Sequence, residues 1–333
     1  MLGVAKLAPG EGHVGLDERP EHAAGAGQVV IAVAATGICG TDLHIEAGEY
    51  PSVPPVTMGH EICGTVAELG ASVDAAWLGA RVVTETYYST CGRCALCLAG
   101  RPNLCLERRS IGTHVDGGFA PRVVVPAGNL HRVPEWLGDV AATLSEPLAC
   151  VCHSLLDPTV VQDGDDVLVV GPGAIGLLAA QVARVCGGRV HVRGTARDGA
   201  RLALARDLGF TTSVAESSDG PSAPADVVVE CSGSGPGMAY GLTATRRAGR
   251  YVQIGLRGAP VTLPFDEVCF RELTITSGFA STPRSWADAL ELIHGGRLEL
   301  APLITDVLPL VAWEHAFAAS RRGDGVKYVL APG

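Results

Sequence analysis

Short runs in which apolar and polar residues alternate dominate the chain from Gln28 to about Pro126: Val29 to Ala34, Ile62 to Leu69, Arg81 to Glu85 and Arg122 to Val125. Gly and Pro clusters separate them, so this segment predicts strands joined by tight turns, a β-rich domain. From about Leu148 to Gly278 the texture changes. Continuous apolar runs at Asp166 to Val170, Gly188 to Val192, Asp226 to Glu230, Arg250 to Ile254 and Leu273 to Thr276 alternate with helical segments. That is the βαβ pattern of a doubly wound parallel sheet. From Trp286 onward, helix candidates at Ala287 to Ile293 and Trp313 to Ser320 lead to a strand at Val326 to Leu330. The pattern predicts an α/β chain of two domains, 1–148 and 149–280, with 281–333 returning to the first.

Composition narrows the class. At 333 residues each domain is large enough to bury its own core. A net charge of −10 and a pI near 5.4 argue against nucleic acid and anionic membrane as partners. A small-molecule enzyme is the class that remains. Hydrophobic residues still make up 47%, so the 43 glycines and 21 prolines mark tight turns between packed elements, not disorder. Met1 to Pro20 is broken by charged and turn residues, which indicates neither export nor an anchor, and the cytoplasm is the expected location. The weakly apolar stretch from Val167 to Val185 contains Gly171, Pro172, Gly173 and Gly176. It lacks the uninterrupted ~20 apolar residues of a membrane helix and reads as strand, turn and helix.

Three clusters carry chemistry. Cys91, Cys94, Cys97 and Cys105 form C-x2-C-x2-C-x7-C, with Gly92, Gly100 and Pro102 in the bends. Short loops can converge four thiolates on a tetrahedral Zn²⁺ at about 2.3 Å, so residues from about 90 to 106 are expected to form a lobe around a structural ion. Val167 to Val170 runs into Gly171-Pro172-Gly173-Ala174-Ile175-Gly176 and then an apolar helix, which places a G-x-G-x-x-G at a strand-to-helix turn and predicts dinucleotide binding. After the second strand the chain reads Arg193-Gly194-Thr195-Ala196-Arg197, with no carboxylate at the expected tip. Gly194 and Thr195 leave room, and Arg197 or Arg193 could meet a 2′-phosphate, which favours NADP over NAD. Asp198 is the competing acceptor, and it would hold an NAD ribose. Finally, Cys39-Gly40-Thr41-Asp42-Leu43-His44 and Gly59-His60-Glu61 offer the ligand types of a catalytic zinc, which keeps a position open and acts as a Lewis acid on an alcohol oxygen.

Cys39-Gly-Thr-Asp-x-His44, Gly59-His60-Glu61, the cysteine lobe, Ser145-Glu146-Pro147-Leu148 and the glycine motif, in this order and spacing, resemble the zinc-dependent medium-chain alcohol dehydrogenase superfamily over almost the whole chain. Glu146-Pro147-Leu148, standing where simple alcohol dehydrogenases carry a cysteine, is most similar to the polyol (sorbitol) and threonine dehydrogenase branch. The resemblance implies a GroES-like β-barrel catalytic domain and a Rossmann domain, with two Zn²⁺ per chain. It implies Cys39 and His60 as catalytic-zinc ligands, Glu61 as the third, and Glu146 as a ligand or a partner of the metal's open position that could exchange with Glu61. It also implies a proton relay through Thr41 and His44. Asp42 reads as orienting neighbouring backbone and not as reacting. Cys150, Cys152 and His153 read instead as part of the helix leading into the cofactor domain, and Cys63, Cys186, Cys231 and Cys269 as small buried hydrophobes. Tyr50, Ile111, His114 and Phe279 are candidates to border the pocket. The implied reaction is reversible oxidation of a secondary alcohol to a ketone by a homo-oligomer, dimer or tetramer. The alternatives are an L-threonine or simple secondary-alcohol dehydrogenase, and a non-catalytic nucleotide-binding relative.

Overall fold

The computed structural model describes residues 1–215 and 223–333. Backbone contacts divide the chain into two units, Met1–Glu146 with Ile304–Arg322 and Lys327–Gly333, and Pro147–Leu303 with Gly323–Val326.

The first unit opens with β1 (Leu2–Lys6) and β2 (Val14–Glu18), followed by β3 (Gln28–Gly37) and helix α1 (Gly40–Glu46). Next come β4 (Val56–Thr57), β5 (Glu61–Leu69), β6 (Arg81–Thr84) and β7 (Tyr87–Ser89). Helix α2 (Ala95–Leu98), β8 (Arg109–Ser110), β9 (Arg122–Pro126), β10 (Leu130–Arg132) and α3 (Asp139–Ala142) complete the N-terminal part. Val29, Ile31 and Val33 of β3 pack with Ile62, Val66, Val82, Val123 and Val125 in one apolar cluster, which is why the alternating, β-branched runs become strands. The sequence pattern missed β1 and β2. Lys6 makes β1 look solvated, but its side chain is buried and its ammonium donates to the carbonyls of Gly10, Gly12 and Glu46.

The second unit begins within α4 (Ser145–Leu156) and continues through β11 (Asp166–Val170), α5 (Ala174–Val185), β12 (Arg189–Gly194), α6 (Gly199–Asp207) and β13 (Thr211–Val214). It ends with β14 (Ala225–Glu230), α7 (Gly235–Ala244), β15 (Thr245–Gln253), α8 (Asp266–Phe270), β16 (Thr274–Ser277) and α9 (Pro283–His294). The strands form a parallel sheet in the order β13-β12-β11-β14-β15-β16. This is the doubly wound arrangement that the pattern predicts, with one strand more: β13, Thr-Thr-Ser-Val at the sheet edge, carries no apolar run to reveal it.

The chain then returns to the first unit as β17 (Ile304–Pro309), α10 (Trp313–Arg322) and β18 (Lys327–Ala331). The seven-stranded sheet there runs β10-β6-β5-β3-β18-β17, with β9 also on β3. The return starts at Ile304, not at residue 281 as the sequence suggests. Residues 281–303 stay with the parallel sheet because the Gln181 side chain of α5 clasps the Glu299 backbone through bonds of 3.1 and 2.7 Å. Trp286 of α9 is buried in the same unit, its indole N–H donating to Ser281 Oγ.

Candidate active site

The lobe between β7 and β8 brings Cys91, Cys94, Cys97 and Cys105 together, with all four sulfurs within 4.8 Å of one another. None is in a disulfide. Backbone N–H groups point at the sulfurs: Cys94 N to Cys91 Sγ at 3.3 Å, Cys97 N to Cys94 Sγ at 3.4 Å and Cys91 N to Cys105 Sγ at 3.4 Å. The backbone N–H groups of Arg93 and Cys94 draw the Cys91 thiol down to about 6, whereas burial and the neighbouring Cys94 and Cys105 sulfurs push Cys97 up to about 11 in the absence of an ion's charge. A cage of N–H donors suits sulfurs that carry charge, so the lobe fits four thiolates around one ion.

A second set lies where β3 ends and β5 begins. Cys39 is the N-cap of α1, His60 immediately precedes β5 and Glu61 opens it; their ligand atoms also fall within 4.8 Å of one another. The cap is held by Asp42, whose carboxylate accepts from Cys39 N at 2.9 Å. Asp42 Oδ1 and His60 Nδ1 lie 3.8 Å apart, both buried and both without a hydrogen-bond partner. Drawing the ring onto a metal through its other nitrogen leaves Nδ1–H aimed at a waiting carboxylate, the arrangement that orients metal-ligating histidines. Burial opposes charge on His60, yet Asp42, Cys39 and Glu146 together hold the ring well above its usual pKa. Burial pushes the Asp42 carboxyl up, and His60 acts against that.

Glu61 pairs in register with Gly37 across β3 and β5, and a Cβ at Gly37 would lie 2.0 Å from Glu61 Oε2. Gly37 therefore leaves the space that the carboxylate fills. Glu61 also has a partner that sequence reasoning misses. Lys327 Nζ of β18 donates to both carboxylate oxygens, at 2.7 and 2.8 Å, and to Ile38 O at 2.9 Å, and both side chains are buried. Burial lowers the Lys327 pKa, but Glu61, Cys39 and Glu146 together outweigh it and the net shift is upward. A lone lysine inside the apolar run Val326 to Leu330 was the available signal, since a buried ammonium requires a counter-charge. Glu146 opens α4 and acts electrostatically on His60, but it is not in the converged set.

Thr41 lies half-buried in the first turn of α1. One turn further, His44 Nδ1 meets Glu49 Oε2 at 2.6 Å, a partner that spacing alone does not reveal. Tyr50 packs against the core cluster built around Ile45 and Phe119. Ile111 is buried in the core cluster packed on β3, and Cys269 is exposed and not a buried hydrophobe.

The glycine motif forms the β11-to-α5 turn. Gly171 takes φ 99°, and a Cβ at Gly176 would lie 1.9 Å from Gly171 O, so the helix packs directly on the turn. Nothing lies within 4 Å of a Cβ built at Gly173, the helix N-cap, so its backbone is open to an approaching phosphate. Ala174 and Ile175 follow as the first residues of α5. At the tip of β12, Gly194 abuts Pro172 and Asp198. Asp198 is committed to capping: its Oδ2 accepts from Thr195 N and Thr195 Oγ1 at 2.8 Å each, and its Oδ1 meets Arg201 at 3.3 Å. Arg193 is buried, its guanidinium 4.3 Å from the centre of the Tyr240 ring, whereas Arg197 is exposed.

Residues 25–135 match the alcohol dehydrogenase GroES-like domain, and residues 174–295 match the zinc-binding dehydrogenase domain. A sorbitol dehydrogenase of Halalkalibacterium halodurans is 38% identical, the alignment covering 100% of this chain and 99% of that protein. The chain belongs to the zinc-dependent medium-chain alcohol dehydrogenase superfamily. An L-threonine 3-dehydrogenase of Cutibacterium acnes is 34% identical over 99% of this chain and 98% of its own. A zinc-binding dehydrogenase from Sinorhizobium meliloti 1021, solved bound to NADP, superposes with a TM-score of 0.89 at 33% identity, covering 99% of both chains. In this dehydrogenase the first matched domain contains both cysteine-bearing clusters, and the second starts at Ala174, the first residue of α5. The protein is a zinc- and nicotinamide-dependent oxidoreductase acting on CH–OH donors, of the GroES-like plus Rossmann fold. Among the described residues no helix is long and apolar enough to cross a membrane.

Proposed function

We propose that the protein holds two zinc ions per chain and oxidises a secondary alcohol of a polyol, sugar or related hydroxylated molecule to a ketone, or runs the reverse reaction, with NADP preferred. The observation that carries this reading is the convergence of Cys39, His60 and Glu61 within 4.8 Å, separate from the four-cysteine lobe. Bound zinc supplies Lewis acidity at the alcohol oxygen, and bound nicotinamide accepts or returns the hydride. Thr41 Oγ1 takes the alcohol proton and passes it to His44. Glu49 accepts the His44 Nδ1–H, so Nε2 carries the lone pair that receives the proton. Lys327 neutralises the Glu61 carboxylate, and Cys39, His60 and Glu61 would hold the ion, with Glu146 able to exchange with Glu61.

The NADP preference rests on Arg197, exposed past β12, and on Asp198, whose Oδ2 is engaged by Thr195 instead of standing ready for a ribose hydroxyl. A homo-oligomer is supported by the exposed Phe265 and Phe270 at the two ends of α8, the helix that precedes the edge strand β16 in the chain. A reducing compartment such as the cytoplasm suits a chain none of whose cysteines is in a disulfide. The polyol class is supported by the likeness to sorbitol dehydrogenase, and the likeness to L-threonine 3-dehydrogenase favours L-threonine as the second reading. A spectrophotometric screen of polyols, simple secondary alcohols and L-threonine with both nucleotides tests it. Turnover highest on a polyol with NADP supports the proposal; turnover confined to L-threonine replaces the substrate class, and absence of hydride transfer overturns it.

A further inference from the structure

Glu230 ends β14 with its side chain fully buried, and the reaction as read above makes no use of it. Its carboxylate accepts from Ser232 N at 2.9 Å, from Ser232 Oγ, from Gly233 N at 3.1 Å and from Gln253 Nε2 at 2.8 Å. Its backbone carbonyl accepts Ile254 N and Gly255 N, each at 2.9 Å. One residue thus ties together the loop after β14 and the loop after β15. Both loops lie at the carboxyl ends of the strands, the edge at which doubly wound sheets bind ligands.

The tie extends to the glycine turn. A Cβ on Gly171 would lie 2.7 Å from Ser232 N, so the loop after β14 rests on the backbone of the turn itself. A Cβ on Gly255 would lie 2.3 Å from Gly233 N and 2.7 Å from Glu230 Oε2, so the loop after β15 rests on the loop after β14. From Ser232 Oγ the network continues to Ser234 Oγ at 2.9 Å, and Ser234 Oγ caps α7 by accepting Gly237 N at 3.0 Å. Tyr251 OH donates to Gln253 Oε1 at 2.6 Å, which turns the Gln253 amide so that its nitrogen faces Glu230.

We propose that Glu230 is a positioning residue for the nicotinamide nucleotide: its carboxylate holds the loops after β14 and β15 against the glycine-rich turn, so that the lip of the cofactor site is built before the nucleotide arrives. The role needs an acceptor on both carboxylate oxygens. Oε1 serves Ser232, and Oε2 serves Gly233 and Gln253. Glutamine has the same shape but sets an NH2 against one pair of donors, which forces that loop to move.

The inference rests on a nicotinamide nucleotide binding at the glycine turn, and the test separates the two. Wild type, Glu230→Gln, Glu230→Asp and Ser232→Ala are titrated with NADPH and NADH by nucleotide fluorescence, with metal content and circular dichroism measured alongside. Steady-state KM is then obtained for each substrate with the other saturating. Glu230→Gln is expected to keep its zinc and secondary structure and to bind nucleotide about tenfold to a hundredfold more weakly, raising the KM for nucleotide and leaving that for alcohol unchanged. Glu230→Asp, which keeps an acceptor pair, recovers part of the loss. Ser232→Ala, which removes one link only, shows a smaller shift in the same direction and serves if Glu230→Gln does not fold. Wild type that binds neither nucleotide would remove the underlying reading. Wild type that binds, with Glu230→Gln or Ser232→Ala binding as tightly, would overturn this proposal alone, as would a variant that loses zinc, nucleotide and alcohol together.

Discussion

Replacing Lys327 by methionine removes a buried ammonium and leaves the buried Glu61 carboxylate without its partner. Three donated bonds disappear, at 2.7 and 2.8 Å to Glu61 and 2.9 Å to Ile38 O. An intact buried ion pair contributes little net stability, because desolvation of two charges offsets their attraction, but removing one partner costs about 3–5 kcal/mol. At ~2–4 °C per kcal/mol the zinc-free protein should melt about 6–20 °C lower. A zinc ion on Glu61 supplies the missing positive charge, so the zinc-loaded variant should lose much less. The assay is thermal melting of wild type and Lys327→Met, each before and after chelation and zinc reloading. Adding Glu61→Gln to the variant removes the orphaned charge as well and should restore much of the lost stability. Equal melting of the two zinc-free proteins would refute the reasoning, and so would a Lys327→Met defect that zinc does not reduce.

Gly37→Ala should weaken metal binding at the Cys39 cluster, because its Cβ would stand 2.0 Å from Glu61 Oε2; zinc retention during mild chelation measures this. Arg197→Ala should weaken NADP binding about tenfold to a hundredfold and leave NAD nearly unchanged, read from the two nucleotide titrations. Thr41→Val should lower kcat/KM severely with nucleotide binding intact, whereas Thr41→Ser should be tolerated. His44→Ala should cost about tenfold to a hundredfold near neutral pH, less as pH rises and hydroxide accepts the proton, which kinetics from about pH 6 to pH 10 would follow.

Local chemistry was legible in the sequence, and distant partnerships were not. The four-cysteine lobe, the glycine turn and the Cys39 and His60 segments are recognisable because their ligands or turn residues sit within a few positions of one another. Lys327 lies 266 residues from Glu61, so only the fold reveals that a lysine in an apolar strand faces that carboxylate. Lys6 hid β1 for the same reason: a charge that reads as solvated is satisfied internally by carbonyls of the turn after it and of α1. The parallel strands were readable where they are buried on both faces, as in β11 and β14, and unreadable at the polar edge strand β13. The late return to the first unit depends on the Gln181 clasp on Glu299, which no hydrophobic period encodes.

On the proposed reading, Cys39, His60 and Glu61 hold a catalytic zinc distinct from the one in the cysteine lobe. Zinc stoichiometry and hydride transfer measured together on wild type and Cys39→Ser test it most directly. Two zinc ions are expected per active wild-type chain, and one per Cys39→Ser chain that stays folded and has no turnover. A single zinc in fully active wild type, or turnover by Cys39→Ser, would contradict it.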